Sequence, residues 1–411
     1  MGLRGSLICP MSGELGNKSN MTKNENKLKL CNIGWANSPH VSRLLRWLAA
    51  KGHEVHVITN QPIPIEGVKV YDLSARIENK NRWERFRDFE LNVSWKWLRS
   101  MAILKRIRKL VYEISPDILH SHSLWYPGYL GVYLNVHPYV VSVFNGDVLW
   151  EKEGLNLYER LRTIRAIKKA DLVLGESKTL IEAAIRRGAD ARKSFVFKIG
   201  VDLKIFNQQG DRLAMRRKLN LPGNKNIILS PRTIDPLYNL KTLIHAVPRI
   251  IVKAPNTLFI FIGHYVNAEY HKELEIETQN LGIKGNIMFI GKVEHAQVAD
   301  YHRASDVFVS VSPKDSGPIA LQEAMACGAA PVISDLPSVR ELVTDGYNGL
   351  LINPQDPEQI AEAIVRLLGD DKMRKDFAVR NWEIVQEKCD QEKEMKKVED
   401  LYYQLLEEAR K

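Results

Sequence analysis

At 411 residues the chain exceeds what one hydrophobic core holds and suits two domains of roughly 100–200 residues each. A composition 45% hydrophobic and 26% charged excludes wholesale disorder, collagen and coiled coil, and no apolar run approaches the ~18–20 residues of a membrane-spanning helix. The net charge of +10 predicts attraction to something anionic: nucleic acid, acidic lipid or a phosphorylated small molecule.

In chain order, residues 1–26 are rich in Gly, Ser, Asn and Lys without periodicity and read as a disordered lead-in, with Met1 and Met21 both open as starts. Order begins at Lys27. Leu28 to Ile33 form a short strand and Gly34–Pro39 a loop. Ser38 suits a helix N-cap and Pro39 the first helical position, where a missing N–H costs nothing. The helix runs to about Lys51 on a stripe of Val41, Leu44, Leu45 and Leu48, Gly52 stops it, and Glu54–Thr59 is the next strand. Further strands are expected at Asp117–His120, Tyr139–Phe144 and Asp171–Leu174. A polar stretch, Phe206–Pro222, reads as linker and short helix. The pattern restarts at Asn226–Ser230 and continues at Thr257–Ile262, Ile287–Ile290, Val307–Val311 and Pro331–Ser334. Asn381 to Lys411 reads as one amphipathic helix that docks back on the first half.

Short apolar strands alternating with helices mean parallel sheets covered on both faces. The fold class is therefore α/β, with two doubly wound, Rossmann-like domains at 27–205 and 222–385 and a C-terminal helix at 386–411. Ligands in such sheets bind beyond the carboxyl ends of the strands, so motifs are sought in the loops there. The four cysteines, Cys9, Cys31, Cys327 and Cys389, are far apart and without CxxC spacing, which argues against a disulfide framework or zinc ribbon and suits a reducing cytoplasm.

The most informative stretch is Ser310 to Gly328. A strand ends near Val311 and a helix begins near Pro318. Ser316 and Gly317 between them let a ligand approach the backbone closely, and the helix end offers amides and a positive dipole to an anion. Asp315 stands just ahead of that end and Glu323 five residues inside the helix. On spacing alone two readings stay open: acids that take polyol hydroxyls, or a helix cap and a surface acid.

Glu323 to Ser334 and Glu341 to Leu351 resemble the retaining glycosyltransferases of the fourth sequence family, of GT-B fold. Their two acids are separated by seven residues, as are Asp315 and Glu323. The resemblance continues in Trp35–Thr59, in Pro116–His122, and in Gly200-Val201-Asp202 with Phe206. It implies that Asp315 contacts the hydroxyls of the donor sugar and Glu323 the nucleotide ribose. Ser316, Gly317, Pro318 and Ile319 would meet sugar or diphosphate with their amides, and Arg232 would neutralise the leaving diphosphate. Positive groups fixed in a dry cleft stabilise that charge more in the transition state than in the ground state. The nucleotide sugar is then a co-substrate. No cofactor or metal is expected, and no Asp-x-Asp site is present.

Three departures qualify the resemblance. The first acid is commonly Glu, and Asp315 is one methylene shorter. The family's Lys–Gly after the arginine is replaced by Tyr238-Asn239, with Lys241 two residues on as the candidate phosphate contact. Phe144 stands where relatives carry a His, so any catalytic histidine duty falls to His122. His120 and His122 share one strand face without a third metal ligand nearby. A structural His bonding loop backbone is the alternative for each. Asp147 either orients an acceptor hydroxyl or caps its turn. Gly34 and Gly263 end the first strand and the strand Thr257–Ile262, where a ligand or a plain turn explains a glycine equally well.

Between Arg76 and Leu110, Lys and Arg outnumber acids and are interleaved with Trp83, Phe86, Phe89, Trp95 and Trp97. A helix here with apolar and basic faces suits either an anionic membrane surface or a core-facing stripe. The expected activity is transfer of a sugar from a nucleoside diphosphate to a hydroxyl on a lipid-linked or cell-surface glycan precursor, in the cytoplasm and at most peripheral to the membrane. The alternatives are a nucleotide-sugar epimerase of the same fold and a nucleic-acid-binding protein. The second lacks any RNA-recognition or zinc-finger signature, so nucleic acid is not an expected partner. A nicotinamide-dependent dehydrogenase is disfavoured because Gly34–Pro39 is not a G-x-G-x-x-G loop.

Overall fold

The structure, a computed structural model, describes residues 27–74, 94–149, 157–265 and 268–411, with backbone only over 94–100. The expected lead-in at 1–26 and the aromatic part of the basic stretch therefore lie outside the described residues. The first domain comprises β1 (Lys29–Ile33), α1 (Pro39–Ala50), β2 (Glu54–Thr59), β3 (Val68–Asp72), α2 (Ser94–Ile114), β4 (Ile118–His122), β5 (Tyr139–Val143), the single turn α3 (Asn145–Val148), α4 (Leu157–Lys169), β6 (Leu172–Gly175), α5 (Lys178–Arg186) and β7 (Ser194–Val196). Its sheet is parallel in the order β3-β2-β1-β4-β5-β6-β7. β4 and β5 are buried throughout, as strands covered by helices on both faces must be.

The second domain comprises α6 (Arg212–Lys218), β8 (Asn226–Ser230), α7 (Leu240–Lys253), β9 (Thr257–Ile262), α8 (Ala268–Asn280), β10 (Ile287–Gly291), α9 (His295–Ala304), β11 (Val307–Ser310), α10 (Ile319–Ala326), β12 (Ala330–Ser334), β13 (Leu350–Ile352), α11 (Pro357–Gly369) and α12 (Asp371–Lys388). Its strands run parallel in the order β10-β9-β8-β11-β12-β13. In each sheet the strand order reverses beside the first strand, between β1 and β4 and between β8 and β11. Those switch points open crevices at the carboxyl ends of the strands, and the two crevices face each other.

Several boundaries differ from the sequence reading. The short helix expected within 206–222 is present as α6, but the stretch around it is packed rather than a free linker. Phe206 is fully buried against the His295 ring, centroids 4.9 Å apart. Arg216 of α6 is buried and pairs with Asp306 at 2.7 Å, so the second domain starts ahead of residue 222. The C-terminal helix is also two helices. Asp390 breaks it, accepting from the Glu392 amide at 2.9 Å to cap α13 (Gln391–Arg410). Met395, Val398 and Tyr402 of α13 join Leu28, Leu30 and Trp47 in one core cluster of the first domain, and His53 Nε2 lies 2.8 Å from Glu399 Oε1. The chain thus crosses between domains twice, side by side, where Val201 bridges Asp390.

Ser38 occupies the N-cap of α1 without a side-chain cap bond, leaving Pro39 to set the first turn. The apolar stripe of α2, Leu104, Ile107, Val111 and Ile114, is buried in the first core. Core packing accounts for these four residues, the core-facing reading of the stripe. Lys105, Arg108, Lys109 and Tyr112 remain exposed. No described helix is long and apolar enough to cross a membrane.

Candidate active site

A cavity of about 590 Å³ lies between the two sets of strand ends. The first domain contributes Trp35 after β1, His40 from the first turn of α1, His122 and Trp125 at and after β4, Phe144 after β5 and Glu176 after β6. The second contributes Arg232 after β8, Tyr238, and the Lys314–Gly317 loop with Ile319 between β11 and α10. Every wall lies on a strand-to-helix connection or the helix start that follows it. A larger groove of about 680 Å³ lies at the domain crossing, lined by Trp47, Asp202 and Trp382, and shares no lining residue with this cavity.

Of the residues singled out from sequence, His122, Arg232, Asp315, Ser316, Gly317 and Ile319 line this one cavity. Arg232 Nη2 donates to Asp315 Oδ2 at 2.6 Å, its Nε donates to Ser310 Oγ at 3.0 Å, and its guanidinium stands 5.4 Å from the Tyr238 ring centroid. Three elements thus hold the planar fork, a geometry that Lys cannot reproduce. Asp315 Oδ1 accepts from the Gly317 amide at 3.3 Å, so it shapes its own loop rather than capping α10, whose N-cap position is Pro318.

Glu323 lies one turn beyond Ile319 on the same helix face and is buried, but it is not among the residues that line the cavity. Its Oε1 accepts from Arg43 Nη2 at 3.1 Å and lies 2.7 Å from His295 Nε2. Burial alone would raise its pKa, but the His295 hydrogen bond and the Arg43 charge outweigh it and hold the carboxyl below its usual range.

Other singled-out residues lie elsewhere. Lys241 pairs with Glu273 at 2.6 Å on the outside of α7 and does not line the cavity, which corrects the phosphate contact expected of it. The lysine at the cavity is Lys314. Asp147 is buried behind the wall, its carboxylate accepting from the Leu124 and Phe144 amides at 2.8 and 2.9 Å and from Ser123 Oγ at 3.2 Å. It holds its turn instead of facing an acceptor. Burial, opposed by those bonds, pushes its pKa up to about 7. A Cβ on Gly34 would stand 2.9 Å from His122 Cβ, and one on Gly263 would overlap the Arg232 carbonyl. Each glycine is needed because a cavity-lining residue's backbone lies against it. Pro318 is buried beneath the loop.

His122 Nε2 lies 2.9 Å from Asn32 Oδ1, and its ring packs against that of His120, tilted by 36° with centroids 3.8 Å apart. His120 is held by Tyr402 OH at 2.6 Å and Ser142 Oγ at 2.8 Å. Burial pushes the His122 pKa down to about 3, so it is neutral at pH 7. Among the described residues no group of three or more His, Cys, Asp or Glu is arranged to hold a metal ion, and Cys31, Cys327 and Cys389 are free and buried.

His40, Glu176, Arg43, His295 and Trp125 were not found from sequence. Glu176 directly follows β6 and His40 lies in the first turn of the helix after the β1 loop, so the rule that ligands sit beyond strand ends would have flagged both. Arg43 and His295 carry no such signal, because their meeting at Glu323 depends on how the domains close.

Two doubly wound parallel domains facing across a cleft, with a terminal helix returning to the first, define the GT-B class of glycosyltransferases. An Anabaena protein, HepE, in complex with UDP and glucose matches with TM-score 0.74 at 18% identity, over 92% of this chain and 100% of its own. A Thermosynechococcus elongatus sucrose-phosphate synthase matches at 0.75 and 21% identity, over 92% and 98%. The profile of glycosyl transferases group 1 matches residues 211–381, and that of glycosyltransferase family 4 matches residues 38–205. The chain belongs to the group 1 glycosyltransferases. It is 29% identical over 271 residues to a D-inositol 3-phosphate glycosyltransferase of Geodermatophilus obscurus, covering 61% of this chain and 59% of that one. It is 23% identical over 377 residues to an N-acetyl-alpha-D-glucosaminyl L-malate synthase of Bacillus anthracis, covering 89% and 93%.

Proposed function

We propose that this chain transfers a sugar from a nucleoside diphosphate to an acceptor hydroxyl with retention at the anomeric carbon. The observation that carries the reading is the Arg232–Asp315 pair at the mouth between the domains, 2.6 Å apart. It sets a guanidinium, where a leaving diphosphate needs positive charge, beside a carboxylate suited to sugar hydroxyls. Glu323 takes the ribose, and the Ser316–Ile319 segment closes over the sugar and its phosphate. Front-side attack by the acceptor, with its proton passing to the departing phosphate oxygen, gives retention without a protein base. Arg232, Lys314 and the start of α10 supply the charge stabilisation, so turnover requires no metal and survives EDTA.

The structural neighbour named with UDP and glucose and the relatives named as glycosyl- or glucosaminyl-transferring proteins support this class of donor. The acceptor is a lipid-linked or surface glycan precursor. Lys105, Arg108 and Lys109 on the outer face of α2 suit peripheral contact with an anionic cytoplasmic leaflet, which co-sedimentation with anionic but not neutral vesicles tests.

The deciding experiment is a thermal-shift panel of nucleotide sugars followed by NMR of the product. A stabilising donor and a product of unchanged anomeric configuration are expected. Inversion, or no stabilisation by any nucleotide sugar, overturns the reading.

A further inference from the structure

The chemistry assigned above uses second-domain groups almost entirely, yet the first-domain wall holds an ionisable pair for which that chemistry gives no role. His40, the second residue of α1, turns its ring into the cavity beside His122 and Asp315. Its Nδ1 is hydrogen-bonded to Glu176 Oε1, and its ring meets Phe144 edge-on, centroids 5.6 Å apart. The His40 side chain is 30% exposed and that of Glu176 is 7% exposed. With Nδ1 engaged, Nε2 is the ring atom that faces the cavity.

Glu176 also reaches the other domain. A Cβ on Gly317 would stand 2.5 Å from Glu176 Oε2 and 2.9 Å from Glu176 Cβ. The glycine of the donor loop therefore accommodates this carboxylate, and the pair sits against the segment assigned to the sugar and its phosphate. We propose that His40, oriented by Glu176, is a further catalytic residue, donating an Nε2–H hydrogen bond to the leaving phosphate oxygen from the first-domain side. This rests on the proposed transferase reading and extends it.

In the step itself the bond from the anomeric carbon to the phosphate oxygen breaks and its electron pair leaves with the diphosphate. The acceptor oxygen bonds the same carbon, and the acceptor proton passes to the diphosphate. His40 keeps its proton throughout and acts by charge and hydrogen bonding. The groups facing it are Glu176 from the end of β6, Arg43 from its own helix and Asp315 from the donor loop, with neutral His122 across the cavity. Burial and Arg43 oppose its protonation, Glu176 and Asp315 favour it, and the balance raises its pKa above that of a free histidine. The helix start also disfavours an imidazolium, which is why a carboxylate on Nδ1 is required. Turnover is then lost as pH rises through the His40 pKa.

The test uses the full chain with whichever of UDP-glucose, UDP-N-acetylglucosamine and GDP-mannose best raises its melting temperature, and follows diphosphate release against pH. H40Q, which keeps a donor but cannot carry the charge, is expected to lower kcat about 10- to 100-fold, leave the donor KM within about threefold, and lose the alkaline limb. E176Q is expected to move that limb to lower pH. H40Q with wild-type kcat and an unchanged limb overturns the proposal. If H40Q melts early, E176Q decides, and an unmoved limb overturns it. A wild-type chain that none of the three nucleotide sugars stabilises overturns the transferase reading and this inference with it. A stabilised wild type with indifferent variants overturns this inference alone.

Discussion

Arg43 Nη2 lies 3.1 Å from Glu323 Oε1, an ion pair whose partners come from opposite domains, α1 and α10. Both side chains are mostly buried, 14% and 7% exposed, so solvent screens the pair weakly and removing one partner strands the other. His295, 2.7 Å from the same oxygen, compensates in part. Arg43→Ala is therefore expected to raise the donor KM about tenfold, matching a charged hydrogen bond of about 1–3 kcal/mol, with a smaller change in kcat. Small-angle scattering should show a larger radius of gyration for the variant. An unchanged KM together with an unchanged radius would show that the pair joins the domains without consequence.

Arg232 and Lys241 separate two uses of positive charge. Arg232 is fixed in the cavity by Asp315 and Ser310, whereas Lys241 is spent on Glu273 outside it. Arg232→Ala is expected to lower kcat about 10²–10³-fold, the scale of losing a preorganised charge donor. Arg232→Lys should recover little, because one ammonium cannot bond Asp315 and Ser310 at once. Lys241→Ala should change turnover by less than about twofold. Steady-state kinetics on the three variants check the ordering, and a large Lys241 effect would return that residue to the diphosphate.

The fold was legible in sequence because its strands are short, apolar and buried, and Asp315 could be tied to Glu323 because both sit on one continuous segment. β3, β7 and β13 were not legible. They are edge strands of three to five residues with one pairing neighbour each, and β3 and β7 lack the buried run that marks a central strand. Arg216 was hidden for another reason: a basic residue in a polar stretch looks solvated until Asp306, 90 positions away, buries with it. The same holds at the site. His40 and Glu176 lie 136 positions apart and Arg43 and Glu323 lie 280 apart. Neither pair has a periodicity or spacing for a single sequence to reveal, because tertiary closure alone creates it.

His122 gives a pH signature in stability. Its folded pKa is about 3 against about 6.5 for an unfolded histidine. Between those values the unfolded chain binds the extra proton, so stability falls as pH falls, by up to about 1.4 kcal/mol per unit. Above pH 6.5 the effect vanishes. His120, whose pKa is also depressed by burial, and Asp147, whose pKa is raised, titrate alongside it, so the comparison must be with a variant that keeps both. His122→Gln retains a donor toward Asn32 and removes one titration. Relative to its own value at pH 7, the variant should lose about 2 kcal/mol less than the wild type by pH 5. Urea unfolding at both pH values measures it, and parallel losses would mean His122 is protonated in the folded chain.

Gly200 stands where the chain first crosses between domains. Its φ is +73°, and a Cβ there would stand 2.8 Å from both the Cys389 carbonyl oxygen and Gln391 Cα, on the second crossing strand. Gly282 has a similar φ of +68° with nothing within 4 Å, so it isolates the backbone cost from the clash. Gly282→Ala should cost about 1–2 kcal/mol, the left-handed penalty alone. Gly200→Ala must in addition separate the backbones that Val201 and Asp390 hold in register, raising the cost to about 3–4 kcal/mol. The crossing also carries α13 to its seat on the first domain, so the second variant should show two thermal transitions where the wild type shows one. Calorimetry distinguishes these outcomes, and equal shifts from the two substitutions would mean that the crossing strands yield freely and do not couple the domains.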